Sequence, residues 1–174
     1  MKAALYPNFQ KPNALVCARK VCDVLESAGI EVSVSELFRN DFSDKPFVHF
    51  EDISISAHTA DFVLAIGGDG TILRCAKFLM GTDTKLLGIN TGTLGFMAGL
   101  EADQLDKLKL LAEEKYEISE RMTLDIAYHG EDCDIVRSAL NEVSARSSSF
   151  SICDFEVHSY DYLVGKYRAD GVLF

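Results

Sequence analysis

Gly67-Gly68-Asp69-Gly70-Thr71 sets one carboxylate among three glycines, directly after the apolar run Phe62 to Ile66. Glycines at a strand-to-helix turn free the backbone for left-handed angles and close approach to a ligand, and the first amides of a helix favour an anion. A carboxylate repels the phosphates such a turn is suited to hold, so Asp69 needs a chemical reason to be there. Phosphoryl transfer offers two: holding a divalent cation that carries the phosphates, or taking the proton of a hydroxyl that attacks phosphorus. The plainer alternative is a purely structural glycine turn. The spacing is not G-x-x-x-x-G-K-[ST], and G-x-G-x-x-G does not occur, so neither a P-loop nor a dinucleotide fingerprint is present. Arg74, one turn further on, suits either a phosphate contact or a solvated helix face.

The elements that must position this turn follow from hydrophobic periodicity. Lys2 to Tyr6 is strand-like; Pro12 suits the first turn of a helix whose stripe is Leu15, Ala18, Val21, Cys22 and Leu25, stopped by Gly29. A strand follows over 30–37, and 39–57 reads as irregular. Phe62 to Ile66 is the continuous apolar run of a strand buried on both faces. Ile72, Leu73, Ala76, Leu79 and Met80 then fall at helical spacing, and Lys85 to Ile89 is another strand. A second glycine-rich turn, Leu86 to Phe96, follows that strand, and parallel strands place such turns along one edge of the sheet. Residues 103–115 read as an amphipathic helix capped by Asp103. The alternation predicts an α/β, Rossmann-like, doubly wound domain over residues 1–101.

Over 102–174 a connecting helix leads into a β-rich domain. Leu124, Ile126 and Tyr128 alternate with polar residues, 129–132 reads as a turn, and 136–145, 153–160 and 162–169 read as strands. Tyr160, Tyr162 and Tyr167 are strand residues in this reading. The chain stops on Val172, Leu173 and Phe174 with no cap or polar tail, so the β domain is expected to be incomplete at its C-terminal end.

With 174 residues, 48% of them hydrophobic, the chain can bury a sizeable core. Its formal charge of −10, from 27 acidic and 17 basic residues, lacks the basic footprint of nucleic-acid binding and disfavours anionic membrane surfaces. Five cysteines without a Cys-x-x-Cys pair imply neither disulfides nor zinc, and read as core residues in a reducing, cytoplasmic setting. The four histidines show no ligand spacing, and no metal ligand is assigned directly. Uncovered strand edges in an incomplete β domain point to a homo-oligomer.

Several pieces taken together resemble the NAD kinases, which share a superfamily with diacylglycerol kinases, sphingosine kinases and phosphofructokinases. The pieces are Gly67 to Thr71, the turn from Gly88 to Phe96, Glu120 to Asp125, Leu140 to Val143, and Arg168 to Gly171, in the family's order. The resemblance implies phosphoryl transfer from ATP, or inorganic polyphosphate, to the 2′-hydroxyl of the adenosine ribose of NAD, giving NADP. It implies Asp69 as general base and as an NAD contact with Gly70. Gly67, Gly68, Gly70, Thr71 and Arg74 form the phosphate loop. Asn141 and Glu142 match the family's NAD-binding pair, Arg168 and Asp170 a further pair near the dinucleotide, and Phe96 a residue against one of its rings. Mg²⁺ or another divalent cation accompanies ATP. The family's Thr-Gly-Ser-Thr-Ala-Tyr-like segment would follow Phe174. Two alternatives stay open: a non-catalytic nucleotide-binding fragment or association partner, and a lipid kinase of the same superfamily. Lipid kinases carry Asn-Glu where this chain has Leu73-Arg74.

Overall fold

The computed structural model describes residues 1–92, 95–130, 133–149 and 151–174. They form two compact units, Met1–Glu120 and Arg121–Phe174.

The first unit is built on a six-stranded parallel sheet: β1 Lys2–Pro7, β2 Glu31–Val34, β3 Val48–Phe50, β4 Phe62–Gly67, β5 Lys85–Asn90 and β6 Leu100–Glu101, in the order β3-β2-β1-β4-β5-β6. The period-two rule divides each central strand between two cores. Leu5, Leu64 and Ile66 join the core beneath helix α1 (Ala14–Ser27), whereas Ala4, Val63 and Ala65 join the core that includes Ile72, Cys75 and Leu79 of α3 (Asp69–Leu79). This is the expected doubly wound layer. The strand order reverses direction between β1 and β4, and in such sheets the crevice at that reversal, beyond the carboxyl ends of the strands, is where ligands bind.

Several local expectations differ from what is found. Helix α1 starts at Ala14, after Asn13 in a left-handed conformation (φ 63°), so Pro12 lies just before the helix rather than in its first turn. The stretch 39–57 is not irregular: it contains the end of a 3₁₀ segment (Glu36–Phe42), β3, and the short helix α2 (Ile53–Thr59), whose N-terminus Asp52 caps by accepting from Ser54 N at 2.8 Å. The helix expected over 103–115 is reduced to a 3₁₀ turn, Leu105–Leu108, and one α-turn, α4 Lys109–Ala112; Gln104, not Asp103, stands at the cap position. Leu105, Leu108 and Leu111 of this segment lie in the α1-side core, so 102–120 packs with the α/β unit rather than with the strands that follow.

The second unit consists of antiparallel pairs: β7 Thr123–His129 with β8 Asp134–Leu140, β10 Cys153–Ser159 with β11 Tyr162–Ala169, and β9 Ser144–Arg146 with β12 Gly171–Leu173. The single strand expected over 136–145 is two, broken where Asn141 takes φ 85°. Glu131 and Asp132 of the expected turn lie outside the described residues. Tyr160 sits in the β10–β11 turn with φ 52°, not in a strand. Cys17, Cys22 and Cys75 are core residues, but Cys133 is exposed and Cys153 half-buried. Among the described residues no helix is long and apolar enough to cross a membrane.

Candidate active site

β4 ends at Gly67 and α3 begins at Asp69, with Gly68 in an extended conformation (φ −113°) at the cap position. The glycines are therefore not left-handed, contrary to the sequence reading: the described positive-φ glycines are Gly29 and Gly81. What Gly67 supplies is room. A Cβ there would overlap the Thr71 hydroxyl, which folds back over the end of the strand. Asp69 stands in the first turn of α3, where the helix macrodipole favours a negative charge.

The second glycine-rich turn meets the first directly. Asp69 Oδ2 accepts the backbone N–H of Phe96 at 3.0 Å, and Oδ1 accepts that of Met97 at 3.2 Å. Gly95 makes this approach possible, since a side chain on it would collide with Asp69 Oδ1. The base of the turn is tied down as well. Thr91 N donates to Gly67 O at 3.0 Å, and buried Asn90 donates through Nδ2 to Glu101 and accepts from Gly92 N. Thr93 and Leu94 of this turn lie outside the described residues. Phe96 is 93% exposed.

A cleft of about 310 Å³ opens over Asp69, lined by Asn8, Lys11, Gly68, Gly70, Thr71, Arg74 and Gly95. Asn8 and Lys11 were not anticipated from sequence. They come from the loop after β1, the other strand of the switch point; a doubly wound sheet makes that loop a candidate once the strand order is known. Asn8 joins the two loops: its N–H donates to Ile66 O at 2.9 Å, and its Nδ2 to Thr71 Oγ1 at 3.3 Å. Arg74 lines the cleft with its Nε–H donating back to Gly70 O at 3.3 Å. The cleft thus presents two cations, Lys11 and Arg74, beside one carboxylate, in a protein whose overall charge repels phosphate.

The remaining candidate residues belong to the second unit. Asn141 follows β8 in its left-handed conformation, its Nδ2 donating to Glu142 Oε2 at 3.4 Å. Arg168 on β11 lies 4.0 Å from Asp154 on β10, and Asp170 lies 3.5 Å from Arg146 on β9. Arg168 and Asp170 thus face separate partners rather than each other. No group of three or more His, Cys, Asp or Glu residues poised for a metal occurs among the described residues. A lone Asp69 is nevertheless compatible with Mg²⁺ brought in by a nucleotide, since that ion keeps several waters and takes one or two carboxylates with the phosphates.

Comparison with known proteins agrees with this geometry. The family model described as the ATP-NAD kinase N-terminal domain matches residues 4–116. The NAD kinase of Christiangramia forsetii is 31% identical over 182 aligned positions, covering 99% of this chain and 62% of its own length. Those of Corynebacterium diphtheriae and Pyrococcus furiosus are each 33% identical, covering 99% of this chain and 57% and 61% of their own. This chain therefore spans less than two-thirds of these relatives. In fold it is similar to a crystal structure of yeast NADH kinase complexed with NADH, with a TM-score of 0.85 at 18% identity, over 99% of this chain and 56% of that one. A match to the family model over most of the chain, with relatives above 30% identity across nearly all of it, establishes that the chain belongs to the NAD kinase family.

Proposed function

We propose that the protein serves phosphoryl transfer from ATP, or inorganic polyphosphate, to the 2′-hydroxyl of the adenosine ribose of NAD, yielding NADP. The observation that carries this reading is the convergence of Asp69, the first turn of α3 and two cations on one cleft at the switch point. In the step itself the ribose 2′-oxygen forms a bond to the γ-phosphorus and the bond from that phosphorus to the β,γ-bridging oxygen breaks. The hydroxyl proton goes to Asp69, and ADP leaves with the electron pair. A carboxylate offers about four lone-pair sites, so accepting from Phe96 and Met97 leaves capacity for the hydroxyl.

Gly67, Gly68, Gly70, Thr71 and Arg74 would hold the phosphates, Mg²⁺ or a similar cation entering as part of the donor. Gly70, Phe96, Asn141, Glu142, Arg168 and Asp170 would contact the dinucleotide, by the family resemblance. The nucleotide-binding and NAD-binding roles expected for residues 1–101 and 102–174 would fall to the units Met1–Glu120 and Arg121–Phe174, with 102–120 going to the first. Short exposed strand pairs in the second unit favour a homo-oligomer, and free cysteines a cytoplasmic setting. The deciding assay is NADP formation from NAD with Mg–ATP or polyphosphate, by the 174-residue chain and by one extended to the relatives' length. Absence of NADP from both, with diacylglycerol phosphorylated instead, would replace this reading by the lipid-kinase one.

A further inference from the structure

A second cavity, of about 260 Å³, opens at the same carboxyl edge of the sheet, one strand away from the phosphate cleft. Tyr6 and Pro7, the last residues of β1, line it, and the next residue, Asn8, lines the cleft over Asp69. The two spaces therefore share the end of β1. Their chemistry is opposite. The cleft has Lys11 and Arg74, whereas the second cavity is walled by Leu37, Phe38, Ile53 and Phe78, and its charged lining residues are Glu51 and Asp52, with no lysine or arginine among them.

We propose that this second cavity holds the nucleobase of the phosphoryl donor while the donor's phosphates lie over Asp69. The inference rests on the phosphoryl-transfer reading and adds to it where the uncharged end of the donor sits. The cavity offers phosphate no cation among its lining residues, since Lys2 is already paired with Glu51 and Asp52 adds a carboxylate, whereas a flat heteroaromatic ring with exocyclic amino hydrogens suits both the apolar walls and the acceptors at the rim. Leu37 and Phe78 are 87% and 43% exposed, apolar surface that a ring would cover. Tyr6 and Phe78 already stand as a tilted aromatic pair, with centroids 5.8 Å apart. At the bottom, fully buried Ser33 has a loosely held hydroxyl, 3.5 Å from Ser56 Oγ, while Ser56 donates to Glu51 at 2.7 Å.

The test compares Mg–ATP with Mg–tripolyphosphate, which has the phosphates and no base, by titration calorimetry. Wild type is expected to bind Mg–ATP about tenfold or more tightly than Mg–tripolyphosphate, the scale of one base stacked on aromatic side chains. Leu37→Ser and Phe78→Ala are expected to erase that margin and leave tripolyphosphate affinity unchanged. Leu37 is so exposed that its variant keeps the fold even if Phe78→Ala does not. Unchanged Mg–ATP affinity in folded Leu37→Ser, or equal weakening of both ligands, would overturn the proposal. Adenosine alone should shift the NMR signals of Leu37, Ile53 and Phe78. Shifts confined elsewhere, or NAD producing the same shifts at lower concentration, would also overturn it. If adenosine shifts these signals while tripolyphosphate does not bind, the base pocket stands and the phosphate reading fails.

Discussion

The Asp69 carboxylate accepts the backbone N–H of Met97, 28 residues away, while its other oxygen accepts that of Phe96. One side chain thus joins the loops that follow two neighbouring strands, and it does so from the position proposed for the proton acceptor. Asp69→Asn keeps one carbonyl oxygen but turns an amide NH₂ toward the other N–H. In an enzyme of the relatives' full length, turnover of NAD should fall roughly 10²-fold or more with NAD affinity little changed, because a general base acts in the transition state. Measuring kcat and KM separately for the variant checks this. Turnover within a few-fold of wild type would reduce Asp69 to a loop fastener.

Gly95 and Gly92 lie in the same loop and make opposite predictions. A methyl group on Gly95 collides with Asp69 Oδ1, whereas one on Gly92 meets nothing within 4 Å. Gly95→Ala should lower the unfolding free energy by about 1–3 kcal/mol, the usual cost of overpacking, and should impair activity by displacing the carboxylate. Gly92→Ala should leave both near wild type. Parallel denaturant titrations of the two variants provide the comparison.

What could be read beforehand depended on how local the cause was. Phe62 to Ile66 announced a doubly buried strand, because its burial on both faces removes the polar alternation, and Gly29 announced a helix end through the left-handed φ it adopts, 72°. The cleft was legible at Asp69 and Arg74, which share one strand-turn-helix unit. Asn8 and Lys11 were not, because their place beside Asp69 depends on β4 pairing with β1 some sixty residues away. The role of Gly67 was misjudged for a similar reason: the need for a glycine there, as at Gly95, arises from a side chain packed against it, Thr71 in one case and Asp69 in the other, not from its own backbone angles. Residues 103–115 have the right stripe for a helix, but burial of Leu105, Leu108 and Leu111 against α1 is satisfied by a 3₁₀ turn and one turn of α-helix.

Cysteine reactivity should report the two units separately. Burial pushes the thiols of Cys22 and Cys75 up to about 12 and that of Cys17 up to about 11, and the thiolate is the species that alkylates. Exposed Cys133 should therefore react with iodoacetamide first at pH 8, followed by half-buried Cys153. Cys17, Cys22 and Cys75 should label only in denaturant, at concentrations where the parallel sheet unfolds. Mass spectrometry of labelled peptides gives the order. Early labelling of Cys75 would mean that the core beneath α3 opens readily.

Lys2 and Glu51 form an ion pair at 2.8 Å with side chains only 23% and 24% exposed, joining β1 to the segment that enters α2. The Lys2 ammonium, ahead of the Ser56 and Thr59 hydroxyls, holds the Glu51 carboxyl below the ordinary glutamate value of 4.5. A carboxyl with a depressed folded pKa binds fewer protons folded than unfolded, so its stabilisation is fully present above the unfolded value. It is lost as pH falls from there through the folded one. Glu36, Asp44 and Asp52 are depressed as well, by Arg39, Arg19 and Ser54, so the acid limb of stability has several contributors. Glu51→Gln isolates one of them. Near neutral pH it should cost roughly 1 kcal/mol, discounted for partial exposure, and the gap from wild type should close as pH drops below 4.5. Urea titrations of both proteins from pH 7 to pH 3 would show it. A gap that stays constant across that range would mean that the hydrogen-bonded shape of the side chain, rather than its charge, ties β1 to α2.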